Sequence, residues 1–122
     1  MTPQEPTGRF IVTDDPPENG IHRLRLAGDL DATAALSLHS LAREQLAASP
    51  RLLALDLTHL ARLTSSGALA LADVAEWAGQ ADIALCLIAP PAHAVYDALV
   101  AADLGELFEV HPDLASALAD MR

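Results

Sequence analysis

The sequence predicts an α/β domain built on a small mixed, mostly parallel sheet with about four helices. Three observations predict it. Apolar runs alternate with alanine-rich segments of helical spacing, in the order strand, strand, helix, strand, helix, strand, helix, strand, helix. Two of the runs, Arg51 to Leu57 and Asp82 to Ala89, are almost continuously apolar, as strands covered on both faces are. The chain has 122 residues, 52% of them hydrophobic, which suits one core and is short for two domains.

Taken in order, residues 1–8 carry two prolines and a glycine and are expected to form a loose tail, leaving residues 9–122 as the domain. Phe10 to Thr13 is a short strand. Asp14 to Gly20 is dense in turn formers and connects it to Ile21–Ala27, where apolar and polar residues alternate. These two strands can pair as an antiparallel hairpin. Gly28-Asp29-Leu30-Asp31 breaks the alternation. Ala34, Leu38, Leu41, Ala42 and Leu46 then recur at helical spacing, giving a helix from about Thr33 to Ala48 that Pro50 ends. Arg51 to Leu57 is the next strand and Thr58 to Thr64 a loop. A second helix begins near Ser65, with Ala70, Leu71, Val74 and Ala78 inward and Leu69 on the polar face beside Asp73, Glu76 and Gln80. Asp82 to Ala89 is a central strand. Pro90-Pro91 opens a third helix whose stripe is Val95, Ala98, Leu99 and Ala102. Leu107 to Val110 is a short last strand, and Asp113 to Met121 a last helix with Leu114, Ala117 and Leu118 inward.

The formal net charge is −10. That opposes nucleic acid, which is bound through Lys and Arg, and an anionic membrane surface. A basic protein partner would be attracted. One cysteine, Cys86, excludes an internal disulfide and fits a reducing, cytoplasmic setting. No apolar stretch is long enough to span a membrane, and the start of the chain does not read as a signal peptide.

The stretch that stands out is Leu63-Thr64-Ser65-Ser66-Gly67, two kinds of hydroxyl and a glycine at a strand-to-helix junction. The plain reading is capping: Ser and Thr oxygens accept from the unpaired first-turn N–H groups. The same N–H groups and the positive end of the helix dipole favour an anion. An exposed hydroxyl there would also accept a phosphoryl group and change the surface sharply. Leu69 lies on the same helix near Ser65; a lone exposed leucine is ordinary on a protein surface, and beside Ser65 it equally suits a partner contact.

Other candidates carry less. Asp29 and Asp31 are spaced like turn and capping groups, with no partner for acid–base work. His22, His39, His59, His93 and His111 are scattered, and none makes a metal-ligand spacing with another, so no metal is expected. Cys86 reads as a buried thiol in a central strand. The usual glycine-rich nucleotide-binding fingerprints are absent, so no cofactor is expected.

Three segments, in order, resemble those of the STAS domain as found in bacterial anti-sigma factor antagonists. Gly28-Asp29-Leu30-Asp31 is similar to the family's Gly-Glu-Leu-Asp motif. Leu55-Asp56-Leu57-Thr58 followed by Thr64-Ser65-Ser66-Gly67 is similar to its strand and Asp-Ser-Ser-Gly loop. Leu104-Gly105-Glu106-Leu107-Phe108 is similar to its Gly-Leu-x-x-Leu-Phe segment. The resemblance covers about Phe10 to Leu118 and implies a single STAS-like domain. It implies no enzyme but a regulator that binds an anti-sigma factor, usually a small serine kinase, and so frees a sigma factor. The kinase phosphorylates a serine at the start of the second helix and a phosphatase resets it. By position the phospho-acceptor is Ser65. The partner-binding surface is Asp29, Asp31, Thr58, Thr64, Ser65, Ser66 and Gly67, to which Leu69 is added from its place beside Ser65.

The chain departs from the pattern in two places. Thr64 stands where the family has aspartate, which removes a carboxylate just before the acceptor. Asp103 stands where the family has glycine. The first departure motivates a second reading, a scaffold of the same fold that binds a protein partner or a second copy of itself without phosphorylation. A third reading is a binder of a small anionic ligand or nucleotide at the helix start.

Overall fold

The structure, a computed structural model, describes residues 10–15, 19–89 and 109–120. The expected tail over residues 1–8, the helix expected from Pro91 and the Leu104–Phe108 segment lie outside the described residues.

Five strands form one sheet in the order β1 (Ile11–Asp14), β2 (Ile21–Leu30), β3 (Leu52–Leu63), β4 (Ala84–Ile88) and β5 (Glu109–His111). β1 runs antiparallel to β2, as the turn-rich connection predicts; Asn19 and Gly20 at its end both take positive φ. The other three pairings are parallel. The described helices are α1 (Ala32–Ala47), α2 (Ser65–Gln80) and α3 (Leu114–Asp120).

The apolar run of β3 is explained by burial on both faces. Leu53, Leu55 and Leu57 join Leu24, Leu26, Leu38, Leu71 and Val74 in the main core, under α1 and α2. Leu52 and Ala54 face the other way and pack with Cys86, Ile88 and Ala117, under α3. Each fully buried leucine contributes about 1.5–3 kcal/mol relative to exposure. The inward stripe expected for α2 is buried as read, and Leu69 is 68% exposed. Cys86 is buried in β4.

One expectation is corrected. Thr58 to Thr64 is not a loop, because β3 continues to Leu63. β2 is correspondingly longer than the alternation suggested and runs to Leu30, pairing Asp29 with Arg62 and Leu30 with Leu63. Two register shifts, at Arg25/Ala27 and at Gly28/Asp29, break the two-residue period. Gly28 takes φ +91° at the second shift, a conformation glycine adopts without a Cβ penalty. A strand that slips register loses its alternation, which is why this stretch resembles a loop in sequence.

Candidate functional site

The two longest parallel strands end side by side, and the loops beyond them meet. Leu30, the last residue of β2, is fully buried and presents its carbonyl to the start of α2. Thr64 precedes the helix in extended conformation, at φ −86° and ψ 171°. Its hydroxyl donates to the Leu30 carbonyl at 2.9 Å and accepts from the Gly67 N–H at 3.1 Å. Its own N–H donates to the same Leu30 carbonyl at 3.2 Å. Thr64 is therefore the cap of α2; the serines are not. Both hydrogen-bonding capacities of its hydroxyl are used within the fold.

Gly67 is required by packing. A Cβ at this position would lie 2.1 Å from the Leu30 carbonyl oxygen. Glycine lets the first turn of α2 sit directly on the end of β2. Ser65 and Ser66, in between, both point into solvent. The backbone that carries Ser65 is thus held on one side by the Thr64 bonds and on the other by Gly67.

Asp31 caps α1 by accepting from the Ala34 N–H at 2.9 Å, as its spacing suggested. Asp29 is half-buried and lies 3.7 Å from the guanidinium of Arg62, whose side chain is otherwise exposed. The fold therefore gathers Asp29, Asp31, Thr64, Ser65, Ser66 and Gly67 around one end of the sheet, with Leu69 one turn along α2. It does not bring Thr58 there. Thr58 lies five residues before the end of β3, about 17 Å along the strand.

Thr58 belongs to a different cluster, on the sheet face opposite α1 and α2. Its N–H donates to Asp56 at 2.9 Å. Asp56 is the one buried polar or charged residue among those described, and Arg23 on β2 donates to it at 2.7 Å. Burial pushes the Asp56 carboxyl up, but the hydrogen bonds from Thr58 and the Arg23 guanidinium together hold it below the usual carboxylate value. Asp15 lies 3.6 Å from Arg23 and 2.9 Å from Arg25, completing a charged network at the hairpin. Asp56 and Arg23 were missed as a pair in the sequence, because nothing in either segment shows that β2 and β3 are neighbours. Among the described residues no group of three His, Cys, Asp or Glu side chains could hold a metal ion, and no helix is long and apolar enough to cross a membrane.

The STAS domain family model matches residues 16–117. The chain belongs to the STAS domain family. Solved structures agree on the fold. An anti-sigma factor antagonist from Mycobacterium paratuberculosis superposes with a TM-score of 0.83 at 23% identity, over 96% of this chain and 97% of that one. The anti-sigma factor antagonist SpoIIAA in its unphosphorylated form gives 0.74 at 15% identity, over 92% and 96%. The Bacillus cell fate determinant SpoIIAA in the phosphorylated form gives 0.67 at 14% identity, over 92% and 100%. No curated protein matches the chain. In this STAS domain the hydroxyl of Thr64 supplies the acceptor that caps α2. Helix capping thus needs no carboxylate at that position.

Proposed function

We propose that this STAS domain is a regulatory binding module of the anti-sigma factor antagonist kind, switched by phosphorylation of Ser65. The observation that carries the reading is the contrast between neighbouring hydroxyls. Thr64 is committed in both directions to Leu30 and Gly67, while Ser65 is exposed at the first turn of α2. An anti-sigma factor with serine kinase activity is the partner, and a phosphatase reverses the mark. The domain itself performs no chemistry; the kinase supplies the metal, the phosphate cradle and the positioning groups. In the transfer the Ser65 oxygen bonds the γ-phosphorus of ATP, the bridging bond to ADP breaks, and the hydroxyl proton leaves to a base of the kinase or to solvent.

The switch works by charge. A phosphate adds close to two negative charges to a chain whose formal net charge is already −10. At the start of α2 the helix dipole tolerates it. In a docked interface it must be stripped of water without a cation in place. A penalty of about 1.4 kcal/mol weakens binding tenfold, so a few kcal/mol suffice for release. The test is intact-mass measurement after incubation with the serine-kinase anti-sigma factors of the host and ATP. The phosphate mass should appear on the natural chain and vanish in Ser65→Ala. A mass shift that survives Ser65→Ala removes the assignment.

A second reading is favoured by Thr64 itself: a scaffold that binds its partner constitutively, since no carboxylate precedes the acceptor. Thr64→Asp separates the two. Phosphorylation that appears only in Thr64→Asp makes the natural chain the scaffold.

A further inference from the structure

Two leucines among the described residues are exposed by about the same amount, Leu36 on α1 at 70% and Leu69 on α2 at 68%. They belong to one surface. Ser65, Leu69, Asp73 and Trp77 follow one another at intervals of four and form one row along α2. The neighbouring row of α1 contains His39 and Arg43. His39 lies 3.1 Å from the Asp73 carboxylate, and the Arg43 guanidinium lies 4.2 Å over the Trp77 ring. These two contacts fix the register of the helices. Leu36 is about 4.5 Å before His39 along its axis and Leu69 about 6 Å before Asp73, so the leucines lie at nearly the same level, one turn from Ser65.

The surface is uncharged in a strongly acidic chain. α1 has no Asp, Glu, Lys or Arg from Ala32 to Ala42, and α2 has none from Ser65 to Ala72. Acidic side chains border it, Asp31 at one end and Glu44, Asp73 and Glu76 at the other. The nearby cations are engaged, Arg43 on Trp77 and Arg62 with Asp29. An apolar centre with a charged rim is the anatomy of a protein interface.

We infer that Leu36 and Leu69 form a two-helix docking ridge for a partner segment that offers apolar side chains flanked by Lys or Arg. Charge complementarity selects this occupant. A second copy of the chain would bring one acidic rim against another, and the net charge of −10 repels nucleic acid. The inference rests on the reading of Ser65 as the switch and deepens it. It extends the contact to α1 and specifies the chemistry of the partner. A phosphate on Ser65 would fall at the Asp31 end of the ridge, one turn from Leu69 and level with that carboxylate, where no nearby cation among the described residues is unengaged.

The test is selection of a displayed random-peptide library on the full, unmodified chain. Enriched peptides should pair apolar residues with flanking Lys or Arg. Leu36→Asp and Leu69→Asp should each weaken the selected peptides about tenfold or more, with Leu36→Ala and Leu69→Ala weakening them less. Ile11→Asp, at an exposed position on edge strand β1, should leave binding unchanged. Both leucines are exposed, and circular dichroism checks that the variants keep the fold. The inference is overturned by a selection with no enrichment, by acidic winners, or by winners that bind Leu36→Asp as well as the natural chain. It is also overturned if light scattering shows that Leu36→Asp converts a dimer to a monomer. Peptides that need both leucines but bind Ser65→Glu unchanged uphold the ridge and refute the switch. Peptides weakened by Ser65→Glu alone do the reverse.

Discussion

The hydroxyl of Thr64 donates to the carbonyl of Leu30 at 2.9 Å, tying the start of α2 to the end of β2. The same oxygen caps the helix through the Gly67 N–H. One small side chain thereby joins two neighbouring strand ends and positions the serine that follows it.

Replacing that side chain should cost stability in proportion to what is lost. Thr64→Val removes donor and acceptor and should destabilise the domain by about 1–2 kcal/mol. Thr64→Ser should be close to neutral. Thr64→Asp keeps an acceptor for the Gly67 N–H but gives up the bond to Leu30, and should fall between them. Urea denaturation of the three variants measures the order.

Two glycines of α2 should respond with opposite signs. A Cβ at Gly67 would lie 2.1 Å from the Leu30 carbonyl oxygen, which is backbone and cannot swing away. Gly67→Ala should cost about 2–4 kcal/mol. At Gly79 a Cβ meets nothing within 4 Å. Gly79→Ala should stabilise by about 0.5–1 kcal/mol through helix propensity. Denaturant midpoints decide both.

Asp56 should give the domain an acid-labile component. Its folded-state carboxyl is held below the usual value, so the unfolded chain takes up the proton first as pH falls. The contribution is fully present above the unfolded value of about 4 and is lost as pH drops through the lower folded value. Asp56→Asn should flatten stability against pH in that acidic window. At neutral pH it should also cost about 1–3 kcal/mol, because it withdraws the charge facing Arg23. Thermal melts from pH 7 to pH 3 on both proteins check it.

Negative charge at Ser65 should separate binding from folding. The first turn of α2 contains no acidic residue, so Ser65→Glu meets an uncompensated helix dipole. It should raise stability by up to about 1 kcal/mol at low salt while weakening partner binding. Equal loss of stability and binding would mean that the substitution acts by unfolding.

Much of the fold was legible in the sequence because burial writes periodicity. The run at Leu52–Leu57 marks a strand covered on both faces, and the spacing of Ala70, Leu71, Val74 and Ala78 marks the buried stripe of α2. Asp31 was legible as a turn and capping group. What failed failed for a physical reason. The continuation of β3 from Thr58 to Leu63 was hidden because two register shifts destroy the alternation that identifies a strand. The pairing of Asp56 with Arg23 was hidden because strand adjacency is not a local property.

By itself, then, the sequence determined the order of the described elements, the identity of the core face and the junction at Thr64–Gly67, since each depends on residues close together in the chain. Only the tertiary structure decided which hydroxyl at that junction is committed and which is exposed. That choice depends on the carbonyl of Leu30, 34 residues away in sequence. It also decided that Leu36 and Leu69 share one surface, because the register of α1 on α2 is fixed by contacts between the two helices, His39 with Asp73 and Arg43 with Trp77, and not by either helix alone.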